Sequence, residues 1–238
     1  MIKYASLNED ETVLEVGAGM GFLTNLLRKV CKRVLAVELD PRLVGILREQ
    51  LKKTSNVTII EGSILKTRIP AFDKIVSIPP YQISSPLLVW VLSKPFDRAV
   101  FILQREFAHR LVAPVGSEDY GWLTVLTNLQ AEVELLDAVP QSAFYPKPSI
   151  ESVIMVMKPK NPPPFASKDR LHFQQLLQSL FRHRNKKLRN ALSAYLRVNQ
   201  GESKDGAERL SDSLNQRDKR VRELSPEDFE ELADVIIK

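Results

Sequence analysis

The segment Val13-Leu14-Glu15-Val16-Gly17-Ala18-Gly19-Met20-Gly21 constrains this chain more than any other. An extended apolar run, Thr12 to Val16, meets three glycines at alternate positions. Phe22 to Val30 then repeats apolar residues at helical spacing, with Leu23, Leu26, Leu27 and Val30 on one face. A strand that turns through glycines straight into a helix is the opening of a βαβ unit on a parallel sheet. Glycine is needed there because the chain reverses sharply and its backbone must come close to a ligand. Glu38, at the end of the next apolar run (Arg33 to Glu38), follows Gly17 by 21 residues. A carboxylate at that place can accept hydrogen bonds from both hydroxyls of a nucleoside ribose. Gly17, Gly19, Gly21 and Glu38 are therefore expected to line a nucleoside cofactor site.

Two cofactors compete for it. A dinucleotide site favours a further glycine where this chain has Phe22, and it needs room for a pyrophosphate at the helix start. Glu15, just before the turn, repels phosphate but suits the cationic amino group of a methionine moiety. The residues thus favour S-adenosylmethionine. A tight strand–helix connection that holds no ligand is the simpler alternative.

Downstream, the alternation of strand-like and helix-like runs continues. A helix is expected over Pro41 to Lys53 and strands over Val57 to Ile60, Lys74 to Ser77 and Ala99 to Leu103. A late antiparallel pair is expected over Ala131 to Val139 and Ser152 to Lys158. The expected fold class is α/β, a Rossmann-like sheet over residues 1–160. The stretch Lys158 to Pro164 carries four prolines and reads as a linker. A small helical domain is expected over residues 165–238, with one helix from Phe173 to Leu196. Residues 200–220 read as loop or weak helix, and Ser225-Pro226-Glu227-Asp228 opens a last helix.

Charge and cysteine content narrow the partners. The chain has 238 residues, a net charge of +5 and one cysteine, Cys31, so neither an internal disulfide nor a zinc framework is possible and no metal site is expected. No signal peptide is visible and no apolar run could span a bilayer, which gives the expectation of a cytoplasmic protein with no membrane contact. From Arg170 to Asn190 there is no acidic residue, while Arg182, Arg184, Lys186, Lys187 and Arg189 are cationic. Such a field suits a phosphate backbone, although a solvated helix face would read the same way. With a single helix, Arg182, Lys186 and Arg189 would share one face.

The segment Val76-Ser77-Ile78-Pro79-Pro80-Tyr81-Gln82 follows the fourth strand, at the sheet edge where ligands bind. Two prolines stiffen the loop and an aromatic ring follows. Backbone carbonyls could accept the amino hydrogens of an extruded base while Tyr81 stacks on it. A loop that only stops a strand is the competing reading.

With these residues in view, the chain resembles the rRNA adenine N6-dimethyltransferase (dimethyladenosine transferase) family, in its archaeal and eukaryotic branch, along nearly its whole length. The likeness rests on Leu14 to Thr24, Pro79 to Pro86, Gln104-Arg105-Glu106-Phe107-Ala108, Tyr120-Gly121, Phe144 to Ser152 and Phe181 to Asn190. It implies S-adenosylmethionine-dependent dimethylation of two adjacent adenosines near the 3′ end of small-subunit rRNA, on immature small subunits. It also implies a C-terminal domain that helps to hold the RNA. Ser63 and Ile64 would lie beside the cofactor's adenine, Tyr81 would stack on the target base, and Phe144 would close its other side. A monomer is expected.

Three departures accompany the likeness. Ile78 stands where the family has Asn, Pro79 where it has Leu, and Ser63 where it has an acidic residue. No Gln-(Asn/His)-Phe-Leu segment precedes the first strand. Ile78 offers no side-chain acceptor, and losing one such acceptor costs about 2.7–4 kcal/mol in a polar transition state. An RNA-binding assembly factor with weak or no catalysis is therefore the alternative reading.

Overall fold

The structure, a computed structural model, describes residues 1–144, 149–160 and 167–236. By internal contacts the chain forms two compact units: Met1–Ala108 with Ala131–Pro159, and His109–Gln130 with Lys160–Lys238.

The first unit opens with a short helix α1 (Ile2–Ala5), then strand β1 (Thr12–Val16), helix α2 (Phe22–Leu27), β2 (Arg33–Glu38), α3 (Pro41–Leu51), β3 (Val57–Glu61) and β4 (Lys74–Ser77). Helix α4 (Ser84–Leu92) and β5 (Arg98–Gln104) follow, and α5 (Arg105–Leu111) leads into the second unit. The chain returns through β6 (Ala131–Val139) and β7 (Ser152–Pro159). The seven strands form one sheet in the order β3-β2-β1-β4-β5-β7-β6. The first five run parallel, and β7 lies antiparallel to both β5 and β6.

Burial explains why the inner strands lack polar alternation. Val13, Leu14, Val34, Leu35, Ile75 and Val76 are fully buried because helices cover the sheet, as a parallel arrangement requires. At the edge away from the glycine turn, polar groups lock the start of the chain to the sheet. The Lys74 ammonium pairs with Glu11 at 2.7 Å and donates to the Ser6 carbonyl, while Arg98 donates to the Tyr4 carbonyl.

The second unit contains α6 (Trp122–Gln130), α7 (Ser167–Phe181), α8 (Leu188–Asn199), α9 (Lys204–Asp212) and α10 (Pro226–Ile236). Its core joins Phe173, Leu176, Leu180, Leu192 and Phe229, all fully buried. Phe181 stacks on Phe229 with centroids 5.5 Å apart and meets Tyr120 edge-on at 5.8 Å, and the Tyr120 hydroxyl donates to the Leu224 carbonyl. Ser225 caps α10 as its sequence suggested: its hydroxyl accepts from Asp228 N–H, and the Asp228 carboxylate accepts from Ser225 N–H.

Three expectations need revision here. The expected domain break lay between residues 160 and 165, yet His109–Gln130 also groups with the second unit, because α6 packs against α7 and α10. Of the expected linker, Lys158 and Pro159 belong to β7, and 161–166 lie outside the described residues. The single helix from Phe173 to Leu196 is two helices: α7 ends at Phe181, residues 182–185 are turns, Lys187 forms an isolated bridge with Arg220, and α8 starts at Leu188. Arg182, Lys186 and Arg189 therefore do not share a helical face. The physical reason is a six-residue stretch with no apolar anchor and with like charges four apart, which disfavours helix. Residues 204–212, read as loop or weak helix, form α9, capped by the Ser203 hydroxyl, which accepts from Gly206 N–H at 3.1 Å.

Candidate active site

Strand order reverses between β1 and β4, since β2 and β3 extend the sheet one way and β5 the other. The loops leaving β1 and β4 therefore diverge above that point and leave a crevice. These are the glycine turn and the Pro-Pro-Tyr loop.

The two loops touch. Gly17 has φ +76°, and a Cβ on it would lie 2.8 Å from Cδ of Pro80, so only glycine admits the proline at that distance. Gly19, at φ +58°, has nothing within 4 Å of its Cβ position; its outer face is open to a ligand. The turn is pinned from beneath by Gly17 N–H and Ala18 N–H, which both donate to the Val37 carbonyl. Gly21 is the N-cap of α2.

Glu38, at the end of β2, is 8% exposed and holds the turn in place. Its Oε2 accepts from Gly19 N–H at 2.8 Å, and its Oε1 accepts from Leu39 and Asp40 N–H at 2.8 and 2.9 Å. Three of the carboxylate's four lone-pair sites are thus used, leaving one on Oε2 for a hydroxyl. The Glu38 carbonyl accepts from Gly62 N–H at 2.8 Å, which sets the loop after β3 beside it. In that loop Ile64 is buried and Ser63 half-buried, its carbonyl accepting from Lys66 and Thr67 N–H.

Glu15 sits at the foot of the crevice, 2% exposed, with Thr24 Oγ1 donating to its Oε2 at 2.6 Å. Burial pushes its carboxyl up to about 7, against the opposing effect of the Thr24 bonds. No cation pairs with it among the described residues.

On the β4 side, Ser77 is fully buried, and its hydroxyl donates to the Val16 carbonyl at 2.6 Å and accepts from Val16 N–H at 3.3 Å. Ile78 is half-buried and packs on the core, as does Phe144 after β6. Pro79 is buried and Pro80 exposed. The Pro80 carbonyl accepts from Ile83 N–H at 3.1 Å, so free acceptors in this loop must come from Ile78 and Pro79. The Tyr81 hydroxyl lies 2.7 Å from the hydroxyl of Ser152.

A sequence model described as "Ribosomal RNA adenine dimethylase" matches residues 1–238. The chain belongs to the ribosomal RNA adenine dimethylase family. It is 39% identical over 240 residues to a probable ribosomal RNA small subunit methyltransferase A of Methanosarcina mazei, covering 99% of this chain and 86% of the relative. The protein of the same name from Thermococcus kodakarensis is 40% identical, over 100% of this chain and 84% of its own. Among solved structures, a dimethyladenosine transferase from Plasmodium falciparum matches with TM-score 0.81 and 28% identity, over 96% of this chain and 90% of that one. The 23S rRNA methyltransferase ErmE matches with TM-score 0.66 and 27% identity, over 99% and 95%. The α/β methyltransferase fold, the family and the methyltransferase class read from sequence therefore hold.

Around the dimethylase crevice the structure gathers Glu15, Gly17, Gly19, Gly21, Glu38, Ser63, Ile64 and Ile78 to Tyr81 on one edge of the sheet. Tyr145 to Pro148, in the stretch quoted after Phe144, lie outside the described residues. The cationic residues Arg182 to Arg189 belong to the second unit. Sequence reasoning missed two partners, Thr24 of Glu15 and Ser152 of Tyr81. Ser152 ends the quoted stretch Phe144 to Ser152, but only the sheet register, which pairs it with Gln104 of β5, brings it beside the β4 loop. No helix among the described residues is long and apolar enough to cross a membrane, and no group of three or more acidic, His or Cys side chains among them could hold a metal.

Proposed function

We propose that this dimethylase transfers methyl groups from S-adenosylmethionine to N6 of adenosines near the 3′ end of small-subunit rRNA, on immature small subunits. The observation that carries the reading is the contact of Gly17 with Pro80, which joins a nucleoside-type turn to a base-type loop at the strand-order reversal. The residues fit the cofactor: an open face at Gly19, a spare lone pair on Glu38, and a buried carboxyl at Glu15 that bonds Thr24 but has no cation beside it among the described residues, suited to an ammonium group. Ser63 and Ile64 would flank the adenine. Bound there, S-adenosylmethionine supplies an electrophilic methyl group.

The chain's own contribution is placement. Tyr81 offers a ring face to an extruded adenine, and stacking of this kind is worth ~1–3 kcal/mol per base. Phe144 would close the opposite side. The carbonyl of Ile78 or Pro79 accepts an N6 hydrogen, which aims the nitrogen lone pair at the methyl group and stabilises positive charge as it develops. No side-chain nucleophile is needed.

A non-catalytic assembly factor is the weaker reading, because the relatives are named as methyltransferases. Incubating the protein with S-adenosylmethionine and immature small subunits, then digesting the RNA to nucleosides, tests the choice. Methylated adenosine is expected; unmodified RNA despite cofactor and RNA binding would favour the assembly factor.

A further inference from the structure

Glu15 is held by one residue of the element that follows it. Thr24 lies in the first turn of α2, nine residues further on, and is fully buried. Its hydroxyl donates to Oε2 of Glu15 at 2.6 Å, and its backbone N–H favours the ionised carboxyl as well. Position explains the second effect. The N–H groups in the first turn of a helix have no partner within it, and Gly21, the N-cap of α2, has no side chain to offer one. The Glu15 carboxyl, arriving from β1, stands in for the missing cap.

The charges around Glu15 do not neutralise it. Helix α2 carries no charged residue. Glu38, at the end of β2, is the charged group that acts on Glu15, and it opposes ionisation. On β4 the Lys74 ammonium is engaged by Glu11 and the Ser6 carbonyl, and at the start of β2 the Arg33 guanidinium bonds Thr58. Two carboxyls, Glu15 and Glu38, are thus buried at one crevice with no cation on either among the described residues.

Folding alone does not call for this arrangement. A valine at position 24 would fill nearly the same volume without a buried hydroxyl, and a neutral residue at position 15 would avoid burying an acid. Burial raises the Glu15 carboxyl to about 7, while the two Thr24 groups pull the other way. Without them Glu15 would stay protonated through the neutral range, and a neutral acid attracts an ammonium group only weakly.

We propose that Thr24 is a positioning residue for the cofactor: its hydroxyl fixes the Glu15 carboxylate and favours its ionised form, so that affinity for a ligand bearing an ammonium group is set through Thr24. The inference deepens the proposed function and rests on its placement of the methionine ammonium at Glu15. When such a ligand arrives, a proton still on Glu15 passes to solvent. The carboxylate then faces both the ammonium and the Thr24 hydroxyl. Affinity therefore falls below about pH 7, where binding must first remove that proton.

The test is calorimetric titration of the full chain with two ligands from about pH 6 to about pH 8.5. S-adenosylhomocysteine carries the ammonium; 5′-methylthioadenosine keeps the nucleoside and the sulfur but lacks it. For the wild type, affinity for the first is expected to rise about tenfold over this range and that for the second to stay level. Thr24→Val is expected to move the rise upward by about one pH unit. Affinity for S-adenosylhomocysteine then drops about tenfold at the acid end and less than about twofold at the alkaline end, with 5′-methylthioadenosine unaffected. Thr24→Ser, which keeps the hydroxyl, should restore the wild-type profile. An unshifted profile in Thr24→Val, or an equal loss at every pH and for both ligands, would overturn the proposal. If Thr24→Val fails to fold, Thr24→Cys, a weaker donor of similar size, should give a smaller upward shift, and an unshifted profile there would overturn it too. Glu15→Gln separates the inference from the reading beneath it. Weak, pH-independent binding of S-adenosylhomocysteine by that variant supports the placement at Glu15, whereas wild-type affinity at every pH would overturn both. A shifted Thr24→Val profile in a protein that methylates no RNA leaves the inference standing and removes the proposed RNA reaction instead.

Discussion

The phenolic oxygen of Tyr81 and the hydroxyl of Ser152 are 2.7 Å apart, although 71 residues separate them in the chain. Ser152 is 1% exposed at the first position of β7, so its hydroxyl is a fixed point and Tyr81 is held by it. A ring that must present one face to a base gains from such a tether. Ser152→Ala and Tyr81→Phe are each expected to lower kcat about fivefold, consistent with the ~1 kcal/mol net worth of one hydrogen bond, while KM for RNA changes little. The double variant should be no worse than either single one, and Ser152→Thr should recover most of the rate. Additive losses would show that the two hydroxyls act separately.

Glu15 gives a prediction with a sign. Its folded value of about 7 lies above the ordinary glutamate value of 4.5, so the folded state holds the proton more tightly than the unfolded chain does. The associated stability is complete below about 4.5 and is lost as pH rises through about 7. Glu15→Gln, which cannot ionise and can still bond Thr24, should therefore be more stable than wild type at pH 8 and equal to it at pH 4.5. The difference should be on the order of 3 kcal/mol, the scale set by the rise from 4.5 to about 7. Chemical denaturation at the two pH values checks this. Arrival of a cationic ligand next to Glu15 should also expel its proton, visible by calorimetry at pH 6.5 as a dependence of binding heat on the buffer.

Glu38 should prove essential to the cofactor and Glu49 irrelevant. Glu38→Ala removes both the spare acceptor and the bond that positions Gly19, and should weaken S-adenosylmethionine about tenfold to a hundredfold, the range for hydrogen bonds to a charged group. Among the described residues Glu49 pairs only with exposed Lys52, the residue just after α3, so Glu49→Ala should bind as wild type does. Calorimetric titration of both variants decides it. Equal losses would mean that the site lies elsewhere.

How much of this was legible beforehand follows from the range of the forces involved. The glycine turn and Glu38 were readable because a tight turn and a strand end are local events, fixed by nearby residues. The strands Arg33–Glu38, Lys74–Ser77 and Ala131–Val139 were readable for the same reason, through their β-branched runs. The break at Arg182–Lys187 was not, because apolar spacing on both sides of it continues a helical period and only the absent anchors between betray the interruption. Ser152 against Tyr81, and Arg217–Arg222 against Arg182–Arg189, depend on strand register and on a non-local backbone ladder. No spacing within one segment encodes those.

The handicap proposed for Ile78 gives a prediction about the wild-type rate. Ser77 does not replace the missing Asn, because its buried hydroxyl already donates to and accepts from Val16. That leaves the loop carbonyls as acceptors. Ile78→Asn is expected to raise single-turnover methylation by about tenfold or more, within the two to three orders of magnitude one such group supplies, with little change in RNA affinity. A slower or unchanged variant would show that Ile78 serves as an apolar wall where an amide is left unsatisfied.

The central claim is that the crevice between the β1 and β4 loops moves a methyl group onto adenine N6. Its direct test is incubation of immature small subunits with isotopically labelled S-adenosylmethionine and wild-type or Tyr81→Ala protein, followed by mass analysis of the released nucleosides. The account predicts labelled N6,N6-dimethyladenosine from the wild type and almost none from Tyr81→Ala at unchanged cofactor affinity. Label on any other nucleoside atom, or equal dimethyladenosine from both proteins, would contradict it.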